Sequence, residues 1–126
     1  MKKSLLVLLS STCLLAPAAF AGEGHDHSPK HGGITQEVGT VNYELVARAD
    51  TLSLYLSAHG APYAATGAKA EAVIHSGNVK TPVTLTPAGD NTLTAKGSFK
   101  TGLGVRVTVS VTLPNQPAAT VNFRLK

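Results

Sequence analysis

The strict alternation of residue types between Val105 and Leu113 constrains the fold more than any other feature of this chain. Every second residue is apolar, and each residue between is Arg, Thr or Ser. A period of two places the two sets on opposite faces of an extended strand, one packed on a core and one facing water. The segment therefore predicts a β-strand in a sheet with one buried face.

A second alternation predicts a β-hairpin with a defined register. Apolar residues alternate with polar ones over residues 41–45 and again over 52–56, with a polar stretch at 48–51 between them. This pattern is typical of two antiparallel strands joined by a short loop. Pairing of Leu45 with Leu54 would place His59 opposite Thr40, at the open end of the hairpin.

Further short alternating stretches, separated by Gly, Pro, Asn and Asp, complete an all-β pattern; they cover residues 34–38, 68–75, 79–85, 92–99 and 120–125. Pro82 has no amide hydrogen to donate, so its strand is predicted at a sheet edge. About seven to eight short strands predict an immunoglobulin-like antiparallel β-sandwich, although the Cys pair and the Trp of antibody domains are missing. A small β-barrel is the alternative, because strand number alone does not fix closure.

The first 21 residues have the pattern of a secretory signal peptide. Two lysines precede an apolar run over residues 5–15, and Ala19-Phe20-Ala21 fits the small-x-small rule for cleavage after Ala21. The apolar run is too short to span a bilayer, and Ser10-Ser11-Thr12 before Cys13 is a poor lipidation motif. The mature protein is therefore predicted to be periplasmic and not inserted in the membrane.

Removal of this segment changes the composition that bears on function. The whole chain carries 11 Lys and Arg against seven Asp and Glu, a formal net charge of +4, which falls to +2 without Lys2 and Lys3. The remaining basic residues are scattered singly along the sequence, so neither a basic stripe nor a nucleic-acid partner is predicted. The only Cys and the only Met are also removed, while all five His remain.

The mature chain is predicted to consist of a flexible His- and Gly-rich arm over residues 22–33 and a β domain over residues 34–126. The arm is polar and has no apolar periodicity. Three of its residues, His25, His27 and His31, are ligands that suit Zn(II), Cu(II) and other divalent transition metals. The arm therefore predicts a metal site, and a solvated linker is the alternative.

The hairpin register adds two more candidate ligands. His59 falls at the open end of the hairpin beside Glu37, and the arm enters the domain at the same end. Glu44 lies about four residues further along the strand and is a weaker candidate. His59 as a plain loop residue is the alternative, and His75 is predicted to be a surface residue. The predicted metal ligands are His25, His27, His31, His59 and Glu37.

Ligand chemistry narrows the metal, and the sequence disfavours catalysis. Without Cys or Met the mature chain lacks the donors that favour Cu(I), so Cu(II) or Zn(II) is predicted. Cleavage after Ala21 places His25 fourth, which excludes the amino-terminal copper site that needs His third. No nucleophile elbow, phosphate loop or helical zinc-protease motif occurs, so the protein is predicted not to be an enzyme.

Several motifs are spread over nearly the whole mature chain. They are His31-Gly32-Gly33 at the end of the arm, Tyr43-Glu44-Leu45-Val46, Leu54-Tyr55-Leu56 followed by His59, Gly67-Ala68-Lys69-Ala70, 85–91, 95–99 and Val111-Thr112-Leu113-Pro114. Together they resemble small periplasmic proteins of Gram-negative bacteria. These proteins are similar to the His-Gly-Gly-bearing β module of periplasmic adaptors in heavy-metal efflux systems of the resistance-nodulation-division type. The resemblance implies a β-sandwich and a role in periplasmic metal handling, with His31 and His59 as matching ligands and His25 and His27 in the arm. This sequence lacks the hairpin, lipoyl and barrel parts of a full adaptor.

The predicted function is thus a periplasmic protein that binds divalent transition metal and sequesters it or delivers it to a heavy-metal efflux system. The predicted partners are the metal ion and periplasmic components of such a pump. A non-catalytic β-sandwich that binds a protein through its edge strand at 79–85 or through Tyr55 is the alternative.

Overall fold

The computed structural model describes residues 28–126, which form nine β-strands and, within that range, no helix. The all-β class is confirmed. The predicted signal peptide, His25 and His27 lie outside the described residues. No helix in residues 28–126 is long and apolar enough to cross a membrane. The strands are β1 (Ile34–Val38), β2 (Val41–Ala47), β3 (Thr51–Ala58), β4 (Ala61–Pro62), β5 (Lys69–Ser76), β6 (Val79–Pro87), β7 (Thr92–Lys96), β8 (Arg106–Thr112) and β9 (Ala119–Arg124).

The strands form one antiparallel sheet that nearly closes on itself. Its order is β1-β2-β3-β7-β6-β5-β8-β9, with β4 added to β3. The link between β6 and β7 is short and consists of the pairs Thr86↔Thr94 and Pro87↔Leu93. The two end strands, β1 and β9, approach within 8 Å between Cα atoms. The sheet therefore resembles a barrel with a split between β6 and β7 and a seam between β1 and β9.

Alternation determines which side chains fill the interior. In β8, Val107, Val109 and Val111 are at most 1% exposed, while the residues between them face outward. The leucines of β3 and the largest core side chains, Tyr43 and Phe123, pack in the same cluster. The interior is thus built from one face of every long strand, as the period of two predicts.

The predicted hairpin register is confirmed. Leu45 pairs with Leu54, and the ladder between β2 and β3 runs to the pair Val41↔Ala58. The edge position of Pro82 is also confirmed, because residues 79–85 pair with β5 on one side and do not join the ladder to β7 on the other.

The structure corrects the prediction that the basic residues form no stripe. Lys80 pairs with His75, His75 with Arg106, and Arg106 with Arg124, across the four adjacent strands β6, β5, β8 and β9. The alternation of each strand directs these side chains to the outer face. These residues are far apart in sequence, so the row exists only through the register of the sheet.

Candidate functional site

Glu44 lies at the centre of the most densely hydrogen-bonded side-chain cluster in residues 28–126. The residue is buried, at 4% exposure, on the outward face of β2. The backbone N–H groups of Lys30, His31 and Gly33 donate to it at 2.9, 2.8 and 2.8 Å, and Nδ1 of His31 lies 3.0 Å from Oε1. The last residues of the predicted arm are therefore held against the sheet by a single carboxylate.

The surroundings of Glu44 favour its ionised form. Burial by itself raises the pKa of this carboxyl, but the hydrogen bonds from His31 and from the three backbone N–H groups outweigh burial and lower the pKa below its ordinary value. An ionised carboxylate can only accept hydrogen bonds. In the neutral imidazole of His31, Nδ1 therefore carries the hydrogen and Nε2 carries the lone pair.

Two contacts orient the ring of His31: the hydrogen bond of Nδ1 to Glu44 at its edge and an aromatic ring against its face. It stacks on the ring of Tyr55, with 3.7 Å between centroids and an interplanar angle of 6°. Tyr55 pairs directly with Glu44 across the β2 and β3 strands, so both partners of His31 project from the same spot on the sheet. The His31 side chain remains 42% exposed. The arrangement orients the imidazole and leaves part of it accessible from solvent.

The two glycines after His31 allow this close approach. Gly32 has a φ of 75°, in the left-handed region that favours glycine. A Cβ atom added to Gly33 would lie 2.3 Å from the carbonyl oxygen of Leu45. The His-Gly-Gly motif is therefore a structural unit in which the first glycine turns the chain and the second lets it lie on β2.

Two of the remaining predicted ligands, Glu37 and His59, lie within the described residues. Glu37 pairs with Asn42 in the β1 and β2 ladder and is exposed. His59 occupies the turn between β3 and β4 with a φ of 53°. In the part of the chain that the structure describes, no three His, Cys, Asp or Glu side chains are grouped so that they could hold a metal ion. The predicted ligand set remains a prediction, and its arm members His25 and His27 lie outside the described residues.

A pocket of about 310 Å³ opens beside His31 between the arm and the sheet. Asn42 is 9% exposed, and its Oδ1 atom has no hydrogen-bond partner within the described structure. The pocket therefore offers one buried oxygen acceptor that is still unsatisfied. Its lining includes Ser28, Lys30, His31, Asn42, Glu44, Tyr55, Ser57, Gly60, Pro62 and Asn91.

Glu44 has a larger role than the sequence predicts. The prediction that the arm enters at the open end of the hairpin is wrong, because Ile34 at the start of β1 pairs with Leu45, near the loop between β2 and β3. The arm residues before it lie on the outward face of β2 at Glu44. One signal in the sequence indicates this role: Asn42 and Glu44 share the outward face of the strand that carries Tyr43 and Leu45 inward.

Comparison of the chain with protein families, characterised proteins and solved structures returns no match.

Proposed function

We propose that this protein is a periplasmic, non-catalytic binding protein for divalent transition metal, Cu(II) or Zn(II), which it sequesters or delivers to a heavy-metal efflux system. The observation that supports the proposal best is the contact between Glu44 Oε1 and His31 Nδ1. Metal-binding imidazoles commonly donate their second N–H to a carboxylate, which fixes the tautomer and the ring orientation. His31 already has this arrangement, with Nε2 as the ligand atom.

In this proposal Glu44 is a positioning residue and not a ligand. Its oxygens accept four N–H groups from the arm, and its side chain is 5% exposed. His31 supplies one metal ligand, and His25 and His27, six and four residues upstream, supply others. His59 and Glu37 are the remaining candidates. The Oδ1 atom of Asn42, which has no hydrogen-bond partner within the described structure, is placed to accept a hydrogen bond from a water molecule bound to the metal or to the pocket wall.

Calorimetric titration of the chain from residue 22 with Zn(II) and with Cu(II) tests the proposal. The affinity should fall by at least tenfold in His31→Ala and, through loss of orientation, by about 10- to 100-fold in Glu44→Gln. His75→Ala is the matched control, because His75 lies on the outer face of β5, and it should bind as the unchanged chain does. Unchanged affinity after substitution of His25, His27, His31 and His59 together by Ala would contradict the proposal.

The pH dependence of binding gives a second test. Imidazole must be neutral to bind a metal, so affinity should weaken as the pH falls through the range in which histidine takes up a proton. Affinity that stays constant from pH 8 to about pH 5 would point to carboxylate or backbone ligands instead of His31.

A protein-interaction module without a specific metal site is the second candidate function. The open side of β6 supports it, because residues 79–85 do not join the ladder to β7, and a groove of about 540 Å³ lies beside them. An added strand could pair there. Tyr55, the other predicted contact, is partly covered by the ring of His31. In this case partner binding would be insensitive to a chelator and would slow amide exchange in residues 79–85.

We also propose that the sheet is best grouped as a two-layered, immunoglobulin-like sandwich. The short link between β6 and β7 supports this grouping, since it divides the strands into β1, β2, β3, β4 and β7 on one side and β5, β6, β8 and β9 on the other. In such a sandwich the two sheets have open edges, between β6 and β7 on one side and between β1 and β9 on the other, where backbone groups lack a strand partner. Interstrand contacts in NMR spectra that showed a continuous ladder between β1 and β9 would favour the closed barrel.

A further inference from the structure

Basic residues are concentrated at one end of the sheet, here called the basic end. It comprises the ends of strands and the loops at residues 47–51, 76–80, 96–106 and 124–126. Strand pairing brings these segments together, because β6 begins where antiparallel β7 ends, and Arg106 pairs with both His75 and Arg124. Seven of the nine Lys and Arg residues in residues 28–126 lie there, against one acidic residue, Asp50. The seven are Arg48, Lys80, Lys96, Lys100, Arg106, Arg124 and Lys126.

The row Lys80, His75, Arg106 and Arg124 forms the outward part of this end. Adjacent strands lie about 4.8 Å apart, so the row extends for about 14 Å across the sheet. The acidic residue on the outer face of these four strands is Glu71, about 13 Å away along β5. Within the row, Arg106 and Arg124 carry like charges at directly opposite positions, an arrangement that destabilises a sheet. An external anionic surface would relieve that repulsion.

Two exposed apolar side chains lie at the same end. Leu103 is 91% exposed and Val79 is 62% exposed, and they are two of the three large exposed hydrophobic residues in residues 28–126. Leu103 stands between Gly102 and Gly104, whose φ angles are 116° and 90°. These backbone conformations favour glycine. The loop thus holds a leucine away from the core, where it makes no contribution to folding through burial.

We propose that the basic end docks on the surface of an anionic lipid bilayer. Cationic side chains would contact lipid phosphates while Leu103 and Val79 enter the boundary between headgroups and acyl chains, the combination that holds peripheral proteins on membranes. Single-stranded nucleic acid fits this end less well, because proteins that bind single strands stack the bases on exposed aromatic rings. The aromatic residue of these loops, Phe99, packs against the core. The docking requires no metal and is independent of the proposed metal site.

Co-sedimentation of the chain from residue 22 with lipid vesicles tests this proposal. The protein should bind vesicles of phosphatidylcholine that contain phosphatidylglycerol, should not bind vesicles of phosphatidylcholine alone, and should dissociate as salt is raised. Arg106→Gln should weaken binding about fivefold, because a basic residue near an anionic surface contributes about 1 kcal/mol. Lys69→Gln removes the same charge at the opposite end of β5 and should leave binding unchanged.

The apolar contribution has its own matched pair. Leu103→Ser should weaken vesicle binding about tenfold, whereas Val38→Ser, at the opposite end, should not change it. A thermal melt of each variant verifies that the domain is folded. The proposal is overturned if the unchanged protein ignores anionic vesicles, if Arg106→Gln and Lys69→Gln weaken binding equally, or if an oligo(dT) strand binds more tightly than the vesicles do.

Discussion

The ionised carboxylate of Glu44 lies in a buried position that excludes most water. Burying an unpaired charge is strongly unfavourable, so buried carboxylates occur where several donors satisfy them. Here all of the donors come from one short segment, residues 30–33, which lies 11 to 14 positions earlier in the chain. The charge of Glu44 and the position of the arm are therefore linked: neither is favourable without the other.

Glu44→Gln is expected to release the arm while leaving the sheet folded. The amide has nearly the shape of the carboxylate, but its NH2 group donates hydrogen bonds and cannot accept them. In either orientation this group would face two donors: the backbone N–H groups of His31 and Gly33, or the backbone N–H of Lys30 and Nδ1 of His31. The loss should amount to about 1–3 kcal/mol of docking free energy. Faster amide hydrogen exchange at Lys30, His31 and Gly33 would show it, and the exposed Glu71→Gln should leave those rates unchanged.

Acid should have the same effect as this substitution. Because the pKa of Glu44 is lower in the folded protein than in the unfolded chain, its contribution is complete above the ordinary glutamate pKa and is lost as the pH falls through the lower, folded value. The arm resonances in NMR spectra should shift toward those of Glu44→Gln only once the pH falls below the ordinary pKa of glutamate. Arm resonances of the unchanged protein that stay constant down to pH 2 would contradict this account.

The glycines of the motif make separable contributions. Gly33→Ala places a methyl group against the Leu45 carbonyl and should prevent docking. An alanine at Gly32 meets no atom within 4 Å, so Gly32→Ala should cost about 1–2 kcal/mol for the left-handed conformation alone. The stacking of His31 on Tyr55, followed through ring-current shifts, should be lost in the first variant and weakened in the second. Equal effects would indicate that the close approach to Leu45 has no importance.

Among the elements, the turn between β3 and β4 is the one in which a candidate ligand also has a structural role. His59 and Gly60 both have positive φ, at 53° and 77°, between the paired residues Ala58 and Ala61. A two-residue hairpin turn with this geometry is of the type I′ class, in which Asn is a preferred first residue. A substitution to Ala at this position therefore disturbs the turn as well as removing an imidazole.

His59→Asn separates these two effects. The free energy of unfolding of this variant should lie within about 1 kcal/mol of that of the unchanged protein, because Asn adopts the left-handed conformation readily. His59→Val should lose about 1–2 kcal/mol more, since a β-branched residue is strained there. Any loss of metal affinity in His59→Asn then reports on the imidazole itself, and an equal stability of the Asn and Val variants would contradict the turn geometry.

The strands show why register was predictable and the site was not. A slip of one residue would turn the apolar side chains away from the core, and the short loop between the strands selects among the registers that remain. The pairing of Leu45 with Leu54 therefore follows from the sequence. The choice between Glu37 and Glu44 depends on where residues 28–33 run. That path is fixed by backbone N–H groups and by the missing side chain of Gly33, and neither has a periodic signature.

At the scale of the whole molecule, the split between β6 and β7 should be a weakly protected part of the sheet in residues 28–126. Strand β8 is paired on both sides, by β5 and β9, whereas residues 79–85 are paired by β5 alone. Backbone hydrogen bonds without such protection open more easily. Amide exchange measured by NMR should be faster in residues 79–85 than in β8, and equal protection would indicate that the split closes in solution.

The distribution of charge could be recognised only at this scale. In the sequence, Lys80, Arg106 and Arg124 are separated by other strands and appear as isolated charges on outward positions. The register places them side by side. The sequence predicts which face each of them takes, through the period of two, but the order of strands in the sheet determines which of them become neighbours.

This asymmetry gives the folded domain an electric dipole along the strand direction. Seven of the nine Lys and Arg residues in residues 28–126 occupy one end, while Glu37 and Asp90 lie toward the other. Such a dipole turns a diffusing molecule before it touches a charged surface, and it raises the encounter rate as long as salt does not screen it. The modest formal net charge of the chain, +4, thus conceals a strong preference for one orientation of approach.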